Sequence, residues 1–389
     1  IVSFGGSDSN SVFERSGGSF STGILGGSGI EDEEGDLDTN LPRFRKIASF
    51  PTAGVSVIET ERGETLARFV ARENGHIFEA SVDSTTHKRI SNTTILRIWE
   101  ALWLTESDAF IARFLNDDGK SLDSFYADLK RPDNKNTDNT DEQKTELGLE
   151  GAVEGSFLQN EITELTLSKS KEKIFYLVPS GDGVVGIISN PDGSKKAQVF
   201  RSALSEWQIQ WPEGDKVALT TKPSANIPGY MYFLNTNTEK LEKILSNLRG
   251  LTTLTNEERT NVLFTRNEAG RLLLSVLNIK SGEITDLPVW TLSEKCVWSE
   301  KNSSIVYCGV PNIVPNGSDI DLWYQGLISF SDSVWIIDIE TQTANILVNP
   351  VDFSRENIDI IKPVLSPNED YLFFINKTDS SLWQLELEF

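Results

Sequence analysis

Few residues in this chain are equipped for chemistry. Both cysteines, Cys296 and Cys308, stand in one run, "CVWSEKNSSIVYCGV", residues 296 to 310. Thiols at this spacing fit a metal site, a nucleophile, or a covalent clip across two strands. A metal site needs further ligands, and the two histidines, His76 and His87, lie far away in "ARENGHIFEASVDSTTHKRIS". With two His and one Met in 389 residues, imidazole catalysis and His-rich metal binding have almost no raw material. No metal ligand is assigned and no cofactor is expected. A nucleophilic hydrolase needs Ser or Cys beside a base and an orienting acid. No Gly-x-Ser-x-Gly elbow occurs, so no catalytic residue is assigned.

Carboxylates are the other reagent in supply. Glycosidases and lyases use two or three of them around one substrate. Glu100, Glu164, Glu206 and Asp359 lie on or beside the innermost strands of the repeat described below. Acids total 58, so a few near any axis arise by chance. Their convergence depends on the elements that carry them.

Those elements are β-strands. From Leu41 onward, short runs of Val, Ile, Leu, Phe, Tyr and Trp alternate with polar residues and are separated by polar turns, without helical periodicity. A β run ending in Ser, Thr or Trp-Pro, a polar turn and an aromatic-rich second run recur in "ETERGETLARFV", "LTESDAFIARFL", "LSKSKEKIFYLV", "WPEGDKVALTT", "LTNEERTNVLFT", "WSEKNSSIVYCG" and "LSPNEDYLFFIN". Aligned at Thr60, Thr105, Ser168, Pro212, Thr255, Ser299 and Ser366, the seven copies are spaced by 45, 63, 44, 43, 44 and 67 residues. The long intervals hold a polar insertion at 131–150 and a long loop at 311–332. Removing about 20 residues from each restores a period of roughly 44, the range of four-stranded propeller blades.

Each unit reads as a meander of strands A, B, C and D, except the last, which ends after C. "FRKIASFP", residues 44 to 51, precedes the first A strand and resembles the other D strands. Pairing it with "SLWQLEL" closes the ring and removes two exposed edges. The expectation is an all-β, seven-bladed β-propeller over residues 43–389, closed by an N-terminal strand. Residues 1–42, rich in Gly and Ser and then acidic, read as a flexible linker. The chain starts at Ile1 and contains no apolar run approaching the ~20 residues that span a bilayer. A missing signal peptide or membrane anchor before the linker is one reading, and an ordinary disordered tail is the other.

The turn "LSPNED", residues 365 to 370, resembles the WD40-like repeat of TolB-type propellers, in which Ser-Pro-Asp-Gly-lysine turns join strands A and B. The other six turns depart from that motif. Stretches such as "LTTKPSANIPGY" and "DLWYQGLISFSDSVW" also resemble uncharacterised membrane-anchored propellers of small-genome bacteria. That resemblance implies an extracytoplasmic, tethered protein of the cell envelope. It supplies no activity.

Within this frame "SEKNSS" joins strands A and B of blade six. Trp298 then faces Val306, and the same register sets Cys296 opposite Cys308, near the separation a disulfide requires. The alternative is two buried thiols acting as small hydrophobes. The B to C loops of blades four and six share one face and offer Lys222, Tyr230, Asp319, Asp321, Trp323, Tyr324 and Gln325, a mix suited to recognition. Trp323 packed inside a lid is the competing arrangement. A net charge of -22 repels nucleic acid. The expectation is a monomeric binding or scaffolding protein for a protein or cell-wall glycan partner. A carbohydrate-active enzyme using channel carboxylates is the alternative.

Overall fold

The computed structural model describes residues 41–104, 108–116, 119, 121–131 and 150–387. These form seven four-stranded antiparallel sheets. In the six blades where it is described, the predicted turn position falls at the end of strand A, from Thr60 after Thr52–Glu59 to Ser366 after Ile360–Leu365. Thr105 of blade two lies outside the described residues, as do most of the expected linker and most of the 131–150 insertion.

The ring closes as the repeat predicts. Strand Phe44–Ala48 pairs with Leu382–Glu386, setting Phe44 opposite Leu385 and Lys46 opposite Trp383. The Phe44 ring stacks on Trp383 with centroids 5.0 Å apart. Blade seven thus takes its outer strand from the start of the chain.

Strand B is sandwiched on both faces, which explains continuous apolar runs such as "IFYLV" in blade three. Ile174, Phe175, Tyr176 and Leu177 are all buried there. Alternate side chains serve the two neighbouring blades: Phe175 and Leu177 pack toward blade four with Trp207, while Ile174 and Tyr176 pack toward blade two with Ile111. The outer D strands are mostly exposed, as in Leu241–Arg249.

Blade six pairs Cys296 with Cys308 and Trp298 with Val306, and the two sulfurs are bonded. Two short helices, Asp319–Tyr324 and Pro350–Ser354, lie between strands in the second half of the chain. Neither belongs to the strand period of the repeat.

Candidate functional site

The long loop of blade six leaves strand B at Pro311 and returns at Asp332. It folds inward as a lid. Its helix puts Ile320 and Trp323 three residues apart on one face, buried with Ala225 of the blade-four loop, Leu272 of blade five and Leu292. Asp321 Oδ1 accepts the Ala225 backbone N–H at 2.9 Å, so the two loops assigned to one face are in direct contact. Asp319 accepts the Asn316 N–H at 2.8 Å. The Trp323 indole donates to Asp359 Oδ2 at 2.8 Å.

Of the seven predicted binding residues, Lys222 and Gln325 remain exposed, and Lys222 pairs with Glu206 at 3.1 Å. Tyr230 is half-buried on strand C of blade four. Trp323 is inside, and Tyr324 points toward the ring axis. The Tyr324 hydroxyl accepts from Gln208 Nε2 at 2.9 Å, and Gln208 belongs to the innermost strand of blade four. Burial, followed by the nearby Glu294 carboxylate, raises the Tyr324 hydroxyl well above its ordinary range.

Charged groups line the channel below. Burial alone would raise the Glu100 carboxyl, but Lys362 and Arg113 hold it below its ordinary value. Lys362 Nζ lies 2.6 Å from Glu100 Oε1, and Arg113 lies 3.4 Å from Oε2. Glu164 is exposed at the start of its strand; crowding by the surrounding channel wall pushes its carboxyl up to about 7, Arg113 opposes the shift, and Glu100 and Glu294 add to it. Burial pushes Glu294 up to about 6 against hydrogen bonds from Tyr324 and Gln208.

The channel therefore gathers Glu100, Glu164 and Glu294. Of the other candidate acids, Glu206 stands at the rim with Lys222. Asp359 is fully buried with Lys295. Glu294 is absent from the sequence candidates, because its "LSEKC" context precedes a strand too short to reveal an inward register. Among the described residues, no group of three or more His, Cys, Asp or Glu is placed to hold a metal ion. A groove of ≈ 490 Å³ lies between blades four and five, lined by Asn247, Arg249, Phe264, Arg266 and Ile284 among others.

Exposed apolar side chains are unevenly distributed. In an antiparallel meander the B to C and D to A connections emerge on one face. Leu96 and Trp99, Leu204, Ile227 and Phe353 lie in or beside such connections, and Ile313, Val314, Leu322 and Leu327 are on the lid. Ile313 is 84% exposed, Ile227 68% and Leu327 67%. The remaining large exposed hydrophobics among the described residues, Leu241, Ile284 and Ile346, lie on outer D strands.

No protein-family model and no curated protein matches this sequence. Solved structures do match in fold. An oligogalacturonate lyase from Vibrio parahaemolyticus aligns with a TM-score of 0.56 at 10% identity, over 90% of this chain and 92% of that one. An oligogalacturonate lyase in complex with manganese aligns with a TM-score of 0.52 at 9% identity, over 87% and 97%. TolB from Acinetobacter baumannii aligns with a TM-score of 0.44 at 9% identity, over 75% and 62%. At these identities the likeness to the lyases establishes the propeller architecture alone.

Proposed function

We propose that this chain is a binding propeller that recognises a protein partner through the lid face. The concentration of exposed aliphatic side chains on the B to C and D to A face carries this reading, since such patches mark association surfaces. Ile313, Val314, Leu322, Leu327 and Ile227 offer flexible apolar contact rather than the flat aromatic platforms that sugars favour. They extend the surface of Lys222 and Gln325 beyond the residues chosen from sequence. The Cys296–Cys308 bond fits an oxidising, extracytoplasmic compartment. Among the described residues no helix is long and apolar enough to cross a membrane, so a membrane anchor remains an expectation of the family resemblance.

The test compares affinity recovery by the full chain, by an Ile313→Asp/Leu327→Asp variant and by a Leu241→Asp control. The expected result is a specific protein bound by the wild type and the control and lost from the double variant. Equal recovery by all three overturns the assigned face.

One observation favours a second reading, a carbohydrate-active enzyme. Glu164 and Glu294 carry raised carboxyls in the channel, as general acids do, and two structural matches are lyases of oligogalacturonate. Against it, Tyr324 occupies the lid-side approach and is bonded to Gln208 within the channel. Incubation with oligogalacturonates, read by the absorbance of an unsaturated product, decides. Turnover abolished by Glu164→Gln would establish the enzyme, and no product would leave the binding reading standing.

A further inference from the structure

Three ionisable side chains share a dry site beneath the lid. Lys295, Asp332 and Asp359 each expose 0% of their side chains. They arrive from separate elements: the 3-10 turn Ser293–Lys295 entering blade six, the first residue of strand C, and the residue before strand A of blade seven. Lys295 Nζ donates to Asp332 Oδ2 at 2.7 Å and also to Asp359 Oδ1.

The two carboxyl groups are held differently. Asp359 Oδ2 accepts the Trp323 indole N–H at 2.8 Å and the Phe330 backbone N–H at 3.0 Å. Asp332 Oδ2 accepts the Ile360 N–H at 2.7 Å, while its Oδ1 is buried without a hydrogen-bond partner. The Trp323 and Phe330 rings are stacked, and the Lys295 ammonium sits 5.3 and 5.4 Å from their centroids. Lys377 Nζ also lies over the Trp323 ring, 4.7 Å from its centroid.

We propose that Lys295 and Asp359 condense to an intramolecular amide, with Asp332 carrying the proton. The ammonium gives one proton to Asp359 Oδ1, already its hydrogen-bond partner, which leaves a neutral amine facing a neutral carboxyl. The neutral Nζ then attacks Asp359 Cγ. Negative charge develops on Oδ2, where the Trp323 and Phe330 N–H groups stabilise it as an oxyanion hole does. Asp332 Oδ2 takes a proton from Nζ of this adduct and passes it to the Oδ1 hydroxyl, the Cγ–Oδ1 bond breaks, and one water leaves. The carbonyl re-forms on Oδ2 and Asp332 is restored.

The site drives this direction. Ionised groups in an apolar interior carry a large desolvation cost, and condensation replaces an ammonium and a carboxylate with a neutral amide that keeps both donors to Oδ2. The burial that raises Asp332 to about 6 also suits it to exchange a proton. The product would tie blade six to blade seven under the lid, one residue from the disulfide at Cys296.

Intact mass spectrometry of the reduced full chain tests the proposal, followed by fragmentation of its peptides. The expected mass is one water below that of the unlinked sequence, with a branched peptide joining Lys295 to Asp359. Full unlinked mass in the wild type, with the two peptides recovered separately, overturns it. Asp359→Asn should reach the same final mass as the linked wild type, because ammonia leaves in place of water. Asp332→Asn should remain unlinked while unfolding cooperatively, and a linked Asp332→Asn chain overturns the role given to Asp332.

Discussion

Lys362 Nζ and Glu100 Oε1 meet at 2.6 Å although their strands belong to blades seven and two. Blade one lies between them, and its innermost strand carries Gly54, where a Cβ would stand 2.1 Å from the Ala101 carbonyl oxygen. The close backbone approach at Gly54 draws blades one and two together at the channel wall. Lys362→Met should lower stability by only about 1 kcal/mol, because Lys362 is partly exposed and Arg113 still faces Glu100. The Glu100 carboxyl should rise toward its ordinary range. Denaturant midpoints and carboxyl titration by NMR check both parts.

Glu164 and Glu294 set a pH dependence. Their carboxyls reach about 7 and about 6 in the folded chain, above the ordinary value of 4.5. The folded state therefore binds more protons than the unfolded state between these limits. Stability from these groups is full below about pH 4.5 and is lost as pH rises through 6 to 7. Glu100, held below its ordinary value, works in the opposite sense and loses its contribution on acidification. Thermal midpoints should be higher near about pH 5.5 than at about pH 7.5, and Glu164→Gln should flatten this difference.

Glu369, in the "LSPNED" turn, accepts three hydrogen bonds from the blade-six turn. Its carboxylate receives Ser299 Oγ at 2.6 Å and the N–H groups of Glu300 and Lys301 at 2.6 and 2.9 Å. Its φ of 55° lies in the left-handed region that favours glycine. Glu369→Ala should cost about 2 kcal/mol or more, because the donors lose their acceptor while the backbone stays strained. Glu369→Gly should recover roughly 1 kcal/mol of that loss. Urea denaturation of the two variants provides the comparison.

The covalent and non-covalent closures respond to different perturbations. Reduction of the Cys296–Cys308 bond, or a Cys296→Ser/Cys308→Ser variant, opens a loop of sequence separation 12. Loops of this size predict a loss of up to about 3 kcal/mol, read as a lower thermal midpoint with the elution volume unchanged. Deleting residues 44–48 should instead expose the edge of strand Leu382–Glu386. The expected result is aggregation on size-exclusion chromatography.

Much of the architecture was legible because a propeller writes itself as a period. Runs such as "IFYLV" and "YLFFIN" appear where strand B is covered on both faces. The register of a short hairpin follows from its turn, so the pairing of Cys296 with Cys308 could be read from fifteen residues. Ring closure followed from counting strands. Assignment to strand A, the innermost of each unit, also located Glu100 and Glu164 near the axis.

Alternation does not report what lies opposite. The lid belongs to no repeat, and its inward fold rests on Ile320 and Trp323 meeting side chains from three other parts of the chain. The sequence therefore left Trp323 open between recognition and packing inside a lid, and complementarity between distant loops decided for packing. The same holds for charge. Lys295 drew no notice and Asp359 read as a candidate channel carboxylate, yet the two are buried together because blades six and seven and the lid each supply part of the enclosure. The sequence by itself determined the seven blades, their closure and the facing cysteines, all set by local pattern. Only the tertiary structure decided which loop residues are spent inside the fold and which charged groups meet, because both depend on contacts between segments that no local period relates.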